Sequence, residues 1–226
     1  MRRLAVIVTI DGPAGSGKST TARAVAKRLG LRYLDSGAFY RALTLAALRA
    51  GIEAGAWHLL SGEQLDRFDV RGVPTADGYR MTVVGNDVTD AIRSPDVNHN
   101  VSRMARVPTV RAWLLDRLRN AAGDTDLVAD GRDMGTVVFP EADVKVFLTA
   151  DLETRARRRL GQQGAHDASP AAVRAETERL AQRDRIDSER AVAPLRPAPD
   201  AIHIDTSSLS FEEQVDRIVA IVDARR

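Results

Sequence analysis

A stretch near the amino terminus, Gly12 to Ser19, constrains this chain more than any other segment. Its residues, Gly-Pro-Ala-Gly-Ser-Gly-Lys-Ser, fit the phosphate-binding loop pattern G-x-x-x-x-G-K-[ST] at every fixed position. The glycines let the backbone curl so that its N–H groups point at phosphate oxygens. Lys18 places a cation on the outer phosphates, and the Ser19 hydroxyl can ligate Mg²⁺. The stretch therefore predicts a site for a nucleoside triphosphate.

The residues on either side of the loop supply the expected context. Leu4 to Ile10 is a continuous apolar run of strand length, and Ser19 to Leu29 carries apolar residues at helical spacing. A helix that begins beside the loop adds its partial positive charge to the anion site. The order of strand, loop and helix favours a phosphate site over a glycine turn that binds nothing. The predicted binding residues are Gly12, Pro13, Ala14, Gly15, Ser16, Gly17, Lys18, Ser19 and Thr20.

Short apolar runs alternate with helical patterns along the rest of the chain. The further strand candidates are Leu31 to Leu34, Asp126 to Ala129, Val144 to Thr149 and Ala201 to Ile204. Helices are predicted after Asp35, from Val107 to Ala121, where Trp113 is expected to be a core anchor, and after a capping box at Ser210. This alternation predicts an α/β fold, with a parallel five-stranded sheet flanked by helices.

Two segments depart from this alternation. Residues 61–90 contain short strand patterns at Phe68 to Val73, at Tyr79 to Val84 and around Val88, which predict a small antiparallel insert. Residues 152–193 are rich in arginine and indicate two helices joined by a glycine-containing turn. That helix pair has two interpretations, a mobile flap or a solvated surface.

Composition narrows the classes of function. The 226 residues suffice for one substantial core, and a net charge of +2 does not suggest a partner nucleic acid or a membrane surface. The absence of cysteine excludes disulfides and thiolate zinc sites. Because the apolar run at Leu4 to Ile10 is too short to span a bilayer, we expect a cytoplasmic protein.

A second acidic segment follows the strand predicted at Asp126 to Ala129. Asp130 comes directly after that strand, and Asp133 follows shortly. Ligands bind at the carboxyl edge of open parallel sheets, so Asp130 is a candidate to hold Mg²⁺, directly or through water, opposite Ser19. The alternative is that Asp130 only caps a turn.

Four longer motifs stand out in the chain: Ile10 to Pro13, Leu34 to Arg41, Asp130 to Pro140 and Arg190 to Leu195. With these motifs the chain resembles the bacterial cytidylate kinase family, and the similarity spans nearly the whole sequence. The resemblance implies a single nucleoside monophosphate kinase domain with ATP and CMP or dCMP as substrates, Mg²⁺ as cofactor, and ADP as a product. It further implies a core at residues 1–60, 105–154 and 189–226, a monophosphate-binding insert at about 61–104, and a helical lid at about 155–188. We expect a monomer.

The resemblance also implies roles for individual residues. Arg41, Arg132 and Arg190 would grip the acceptor phosphate, with Ser36 close to it. Ser102, Arg111 and Asp133 would read the cytosine edge, and Arg183 and Asp187 would hold the sugar. Lys18 and Arg132 would act in catalysis together with Arg158, which we expect to be the lid arginine nearest to ATP. Ser19 and, through water, Asp130 would hold the metal.

Two other functions remain open from the residues alone. One is a related P-loop kinase with another acceptor, such as UMP, AMP or shikimate. The other is a nucleotide-dependent switch that hydrolyses ATP slowly and signals through its flap. Several arginines suited to a second anionic substrate favour a kinase over a switch.

Overall fold

The computed structural model describes residues 5–75 and 78–225, and its centre is a parallel sheet. In chain order the strands are β1 (Ile7–Asp11), β2 (Arg32–Asp35), β3 (Val70–Thr75), β4 (Gly78–Val83), β5 (Asn86–Asp87), β6 (Leu127–Gly131), β7 (Val144–Thr149) and β8 (Ile202–Asp205). The central sheet has the order β2-β6-β1-β7-β8. The predicted five-stranded parallel sheet is confirmed. Leu4, where the first strand was predicted to begin, lies outside the described residues.

The register of the sheet aligns the ends of three strands. Ile10 in β1 pairs with Asp130 in β6, and Asp35 in β2 pairs with the same Asp130. Asp11, the last residue of β1, pairs with Gly131. The loops that follow these strands therefore leave the sheet side by side at its carboxyl edge, where ligands bind in open α/β sheets.

Helices cover both faces of the sheet. They are α1 (Lys18–Leu29), α2 (Ser36–Arg49), α3 (Gly62–Arg67), α4 (Pro95–Met104), α5 (Pro108–Ala122), α6 (Leu152–Gln162), α7 (Pro170–Ser188) and α8 (Phe211–Asp223). Side chains of β6 alternate between the two faces, as a strand requires: Leu127 and Ala129 join one buried cluster with α2 and α5, and Val128 joins another with α1 and α8. Burial on both faces explains the continuous apolar runs in the sequence.

The insert between α2 and α5 contains more helix than the sequence patterns predicted. Its β3, β4 and β5 form the expected antiparallel sheet. However, α3 precedes that sheet, held by a capping box between Ser61 and Gln64, and α4 follows it, with Pro95 in its first turn. Val97, Val101 and Met104 bury one face of α4.

Trp113 was predicted to be a core anchor, but it packs against the edge of the core cluster and is not part of the buried cluster itself. Trp113 is only partly buried, and its indole N–H donates a 2.8 Å hydrogen bond to Oδ1 of Asp66. The guanidinium of Arg117 lies 3.4 Å from the centroid of its ring. Trp57 is the buried tryptophan, at 1% exposed, and its indole N–H donates to the carbonyl of Ile52 at 2.9 Å. A large ring with a polar N–H is accommodated wherever that group finds a partner.

The arginine-rich segment folds as the helix pair α6 and α7, which packs against the phosphate-binding loop. Ala14 of the loop shares a small apolar cluster with Ala156, Val173 and Leu180. Arg155 donates to the carbonyl of Ala14 at 3.1 Å, so the helix pair contacts the loop directly.

Within the described ranges, none of the helices combines the length and apolar character needed to cross a bilayer.

Candidate active site

A cavity of about 400 Å³ opens at the carboxyl edge of the sheet. Its walls come from the phosphate-binding loop, the start of α2, the end of α4, residues 130–133, and the facing sides of α6 and α7. It brings together most of the predicted site residues. These are Ala14, Gly15, Gly17, Lys18, Ser19, Thr20, Ser36, Arg41, Ser102, Asp130, Arg132, Asp133, Arg183, Asp187 and Arg190. The other predicted residues, Gly12, Pro13, Ser16, Arg111 and Arg158, lie outside this lining.

The phosphate-binding loop has the tight backbone that its glycines predict. Gly12 approaches β7 so closely that a Cβ there would lie 2.2 Å from the carbonyl oxygen of Leu148. Lys18 is buried at the start of α1, and its ammonium donates a 3.1 Å hydrogen bond to the carbonyl of Pro13. Burial, and next the charge of Arg132, lower the pKa of Lys18. A phosphate anion beside this ammonium would restore the charge balance.

Ser19 and Asp130 meet on one side of the cavity. The Ser19 hydroxyl donates a 2.6 Å hydrogen bond to Oδ2 of Asp130, and the Tyr33 hydroxyl donates to Oδ1 at 2.8 Å. Burial, and next the charge of Asp35, raise the pKa of the Asp130 carboxyl. A cation placed beside the carboxylate would relieve this cost. A hydroxyl and a carboxylate are hard oxygen donors of the kind Mg²⁺ prefers, so these residues fit that ion.

Arginines crowd the cavity, with too few carboxylates to balance them. Burial, opposed by Asp35 and reinforced by neighbouring arginines, lowers the pKa of Arg41 to about 10. Burial, and next the charge of Arg132, lower the pKa of Arg183 to about 9. Arg93 and Arg159 also line the cavity. Such a concentration of cations, most of them half-buried, is a site for an anion, and the planar guanidinium group suits phosphate oxygens.

A buried ion-pair triad borders the cavity, which two of its members, Asp133 and Arg190, line. Asp133 accepts from Arg111 through Oδ2 and, at 3.2 Å, from Nη2 of Arg190 through Oδ1. All three side chains are at most 6% exposed. Arg190 was expected at the acceptor phosphate, but its guanidinium here binds Asp133 and the carbonyl of Ala193. The hydroxyl of Ser102 lines the same cavity.

Asp187 and Ser36 also line the cavity. Asp187 accepts a 2.9 Å hydrogen bond from Nε of Arg132. Burial would raise the pKa of Asp187, but the charges of Arg132 and Arg183 outweigh it and hold that pKa below its usual value. The Ser36 hydroxyl donates to the carbonyl of Asp130 at 2.8 Å.

The structure separates two neighbouring arginines that the sequence could not distinguish. Arg158 is not part of the cavity lining and donates to the hydroxyl and the carbonyl of Thr206 at 2.9 and 2.6 Å. Arg159, one residue later, lines the cavity and is held by Glu176 at 3.1 Å. Successive residues of an α-helix point about 100° apart, so the two side chains leave the helix in different directions. Arg158 lies near Gly17, so its predicted role toward ATP stays a prediction.

Several residues of the site were not predicted from the sequence. Tyr33 carries no motif, and its role follows only from its hydrogen bond to Asp130. Tyr40, Arg93 and Gln162 line the cavity because α2, the insert and α6 converge there. Asp11 precedes the loop directly, and an acidic residue beside a phosphate-binding motif could have been recognised in the sequence as a candidate. The structure shows that it is buried.

The fold and the cavity define the class of protein: a P-loop kinase, in which a phosphate-binding loop shares a cavity with a cluster of arginines. The chain belongs to the cytidylate kinase family, whose profile matches residues 8–224.

Comparison with individual proteins agrees with that family. The chain is 46% identical over 228 residues to a cytidylate kinase of Azotobacter vinelandii, covering 97% of this chain and 96% of the relative. It is 46% identical over 220 residues to a cytidylate kinase of Geobacillus kaustophilus, covering 97% of each. The crystal structure of an uncharacterised protein from Eubacterium ventriosum has a TM-score of 0.52 at 13% identity, covering 97% of this chain and 99% of that one. That likeness shows a shared fold alone.

Proposed function

We propose that this protein transfers the γ-phosphoryl group of ATP to CMP or dCMP, giving ADP and CDP or dCDP. The observation that carries the proposal is that one cavity holds more cations than a single triphosphate needs. Besides Lys18 and the phosphate-binding loop, it is lined by Arg41, Arg132 and Arg183. These arginines suit the phosphate of a second substrate, whereas a hydrolase needs only one substrate phosphate site.

The chain's own residues would position both phosphates for in-line transfer. Lys18 would follow the migrating phosphoryl group, and Arg132 would neutralise charge on the acceptor phosphate. Ser19 and Asp130 would hold Mg²⁺, which neutralises charge on the ATP phosphates when bound. No general base is needed because a phosphate acceptor is already anionic at neutral pH.

The triad that borders the cavity supports cytosine as the base. The carboxylate of Asp133 and the hydroxyl of Ser102 can accept hydrogen bonds from an amino group, and Arg111 can donate to ring acceptors. Cytosine presents this arrangement, and uracil presents the opposite one at its position 4. Arg111 and Arg190 hold the side chain of Asp133 in place through hydrogen bonds, so that the acceptor is preorganised.

We further propose that residues 155–188 close over the two nucleotides as a lid, with residues 61–104 as the monophosphate-binding insert. Arg159 and Arg183 support the lid, because both come from this segment and line the cavity. Closure would exclude water, which otherwise competes with CMP for the phosphoryl group. All proposed site residues come from one chain, so a monomer suffices.

Binding of two nucleotides at once tests the proposal. Calorimetric titration of CMP into protein saturated with a non-hydrolysable ATP analogue should give one CMP per chain. Ser102→Ala should weaken CMP binding and leave binding of the ATP analogue unchanged, because Ser102 lines the cavity from α4 and not from the phosphate-binding loop. CMP that binds only by displacing the ATP analogue would indicate a single nucleotide site, and would favour the switch.

A further inference from the structure

A buried carboxylate with no role in the mechanism above lies where the donor and acceptor sites join. Asp11 ends β1, directly before Gly12 and the phosphate-binding loop, and it is 4% exposed. Among the described residues, its carboxylate accepts no hydrogen bond from the loop. Instead, Oδ1 accepts the backbone N–H of Met134 at 2.9 Å, and Oδ2 accepts the backbone N–H of Gly135 at 2.8 Å.

Those two amides begin the wide helical turn that follows the acceptor-binding residues. The turn spans Met134–Val138, and Asp133 is the residue at its amino-terminal boundary. The first N–H groups of a helical segment have no partner within it, so an external acceptor fixes where the segment starts. The carbonyl of Asp133 accepts from Val137 and Val138 at 2.9 and 3.2 Å. Anchoring the turn therefore anchors the backbone of Asp133.

The segment has little room to move around this anchor. A Cβ on Gly135 would lie 2.8 Å from Oγ1 of Thr9 in β1, and a Cβ on Gly131 would lie 2.6 Å from Oγ of Ser36 in α2. The segment is therefore packed closely between β1 and α2. The two hydrogen bonds from Asp11 fix its position along that contact.

We propose that Asp11 is a positioning residue that fixes the acceptor-binding segment, residues 131–135, relative to the phosphate-binding loop. The inference rests on the proposed function, because it concerns the alignment of the two substrates. Asp11 touches neither substrate. Arg132 and Asp133 lie in the segment that it holds, and Gly12 is its neighbour in the chain, so one carboxylate links both sites. In-line transfer is sensitive to this alignment, since a displacement of about 1 Å can cost on the order of a hundredfold in rate.

Asp11→Asn is the direct test. The asparagine amide keeps one acceptor oxygen but directs an NH₂ group at the second backbone N–H, which breaks one of the two hydrogen bonds. Asp126→Asn is the matched control: Asp126 accepts the N–H of Val6 at 2.8 Å and joins the same two strands at their opposite end. We expect Asp11→Asn to lower kcat/KM for CMP by about tenfold or more and to reduce the preference for CMP over UMP. Affinity for a non-hydrolysable ATP analogue should stay within about twofold of the wild type, and Asp126→Asn should change none of these values.

Amide hydrogen exchange in the ligand-free protein separates failure of this inference from failure of the proposed function. Asp11→Asn should accelerate exchange at Met134 and Gly135 whatever the acceptor is. Unchanged exchange at both amides, equal weakening of CMP and of the ATP analogue, or CMP kinetics like those of Asp126→Asn would overturn the role of Asp11. If Asp11→Asn does not fold, the wild-type protein decides. Slower amide exchange at Met134 and Gly135 than in the phosphate-binding loop supports the anchor. Exchange at these two amides that is as fast as in the loop refutes it.

Discussion

The Ser19 hydroxyl donates a 2.6 Å hydrogen bond to Oδ2 of Asp130, although 111 residues separate the two in the chain. Neighbouring parallel strands make this contact possible, because β1 leads into the loop that carries Ser19 and β6 carries Asp130. The hydroxyl of Tyr33 donates a hydrogen bond to the other oxygen of the same carboxylate, Oδ1. The sheet therefore assembles a small set of oxygen donors beside the phosphate-binding loop.

Asp130→Asn should weaken binding of the divalent metal, because it removes the negative charge that Ser19 and Tyr33 surround. We expect the affinity for Mn²⁺, measured by electron paramagnetic resonance with ADP present, to fall by about 10 to 100-fold. Asp126→Asn, at the other end of the same strand, should leave that affinity unchanged. Equal Mn²⁺ affinity in Asp130→Asn and the wild type would assign Asp130 to turn capping instead.

Lys18→Met should abolish most of the turnover, because no other lysine lies at the phosphate-binding loop. A lost cation at the transferred group costs on the order of 10² to 10³ in kcat. Lys27→Met is the matched control, since Lys27 is exposed near the other end of the same helix. Steady-state assays of both variants check the prediction, and a Lys18→Met enzyme within about tenfold of the wild type would contradict it.

Gly15→Ala should push the helix pair away from the phosphate-binding loop, because the added methyl group would press against α6. A Cβ on Gly15 would lie 3.0 Å from both Cβ and the carbonyl oxygen of Arg155, and the φ of 77° is itself unfavourable for alanine. We expect a loss of about 2 to 4 kcal/mol in the free energy of unfolding by urea, together with weaker ATP binding. Gly164→Ala shares a positive φ, of 84°, but meets open space, so it should cost about 1 kcal/mol only. Equal losses in the two variants would mean that the contact with Arg155 does not matter.

The contribution of Asp11 to stability should fall as the pH rises. Burial, reinforced by the charges of Asp133 and Asp130, raises the pKa of Asp11 from its ordinary 3.8 to about 7, although the N–H groups of Gly135 and Met134 oppose this. The folded state then binds the proton more tightly than the unfolded state. Stability is therefore lost between about pH 4 and about pH 7, by an amount on the order of 4 kcal/mol. Urea unfolding of the wild type and Asp11→Asn across this range should show the difference between them shifting in favour of the variant. A difference independent of pH would contradict the raised pKa.

The central fold was predictable because its signals are local. An apolar run before a glycine loop, and the same alternation repeated later, specify a parallel sheet between two layers of helix. The helices of the insert were missed although local signals existed, such as Ser61 with Gln64 and Pro95 before a buried face. Because strand patterns lie beside these signals, the insert was predicted to be made of strands alone. Trp113 was misplaced because helical spacing does not show whether a neighbour such as Asp66 will bind its indole N–H.

Only those residues of the site that belong to recognisable sequence motifs could be predicted. The loop motif identified Lys18 and Ser19, and the family resemblance supplied the residues that line the acceptor side. Which side chains pair with each other depends on distances between elements, so the contact of Arg190 with Asp133 could not be read from the sequence. The choice between Arg158 and Arg159 depends on helix rotation, which four neighbouring arginines do not specify. The link from Asp11 to the turn after Asp133 joins residues far apart in the chain and has no sequence signature.

The most direct measurement of the central claim is ADP release from Mg·ATP by the purified protein, with CMP, dCMP, UMP, AMP, shikimate or no acceptor offered in parallel. We predict fast turnover with CMP and dCMP, and little with the others, because Asp133 and Ser102 line the cavity with oxygen atoms that can accept from the cytosine amino group. Turnover with another acceptor alone would keep the kinase and contradict the cytosine assignment. Slow release that ignores every acceptor would contradict the kinase itself.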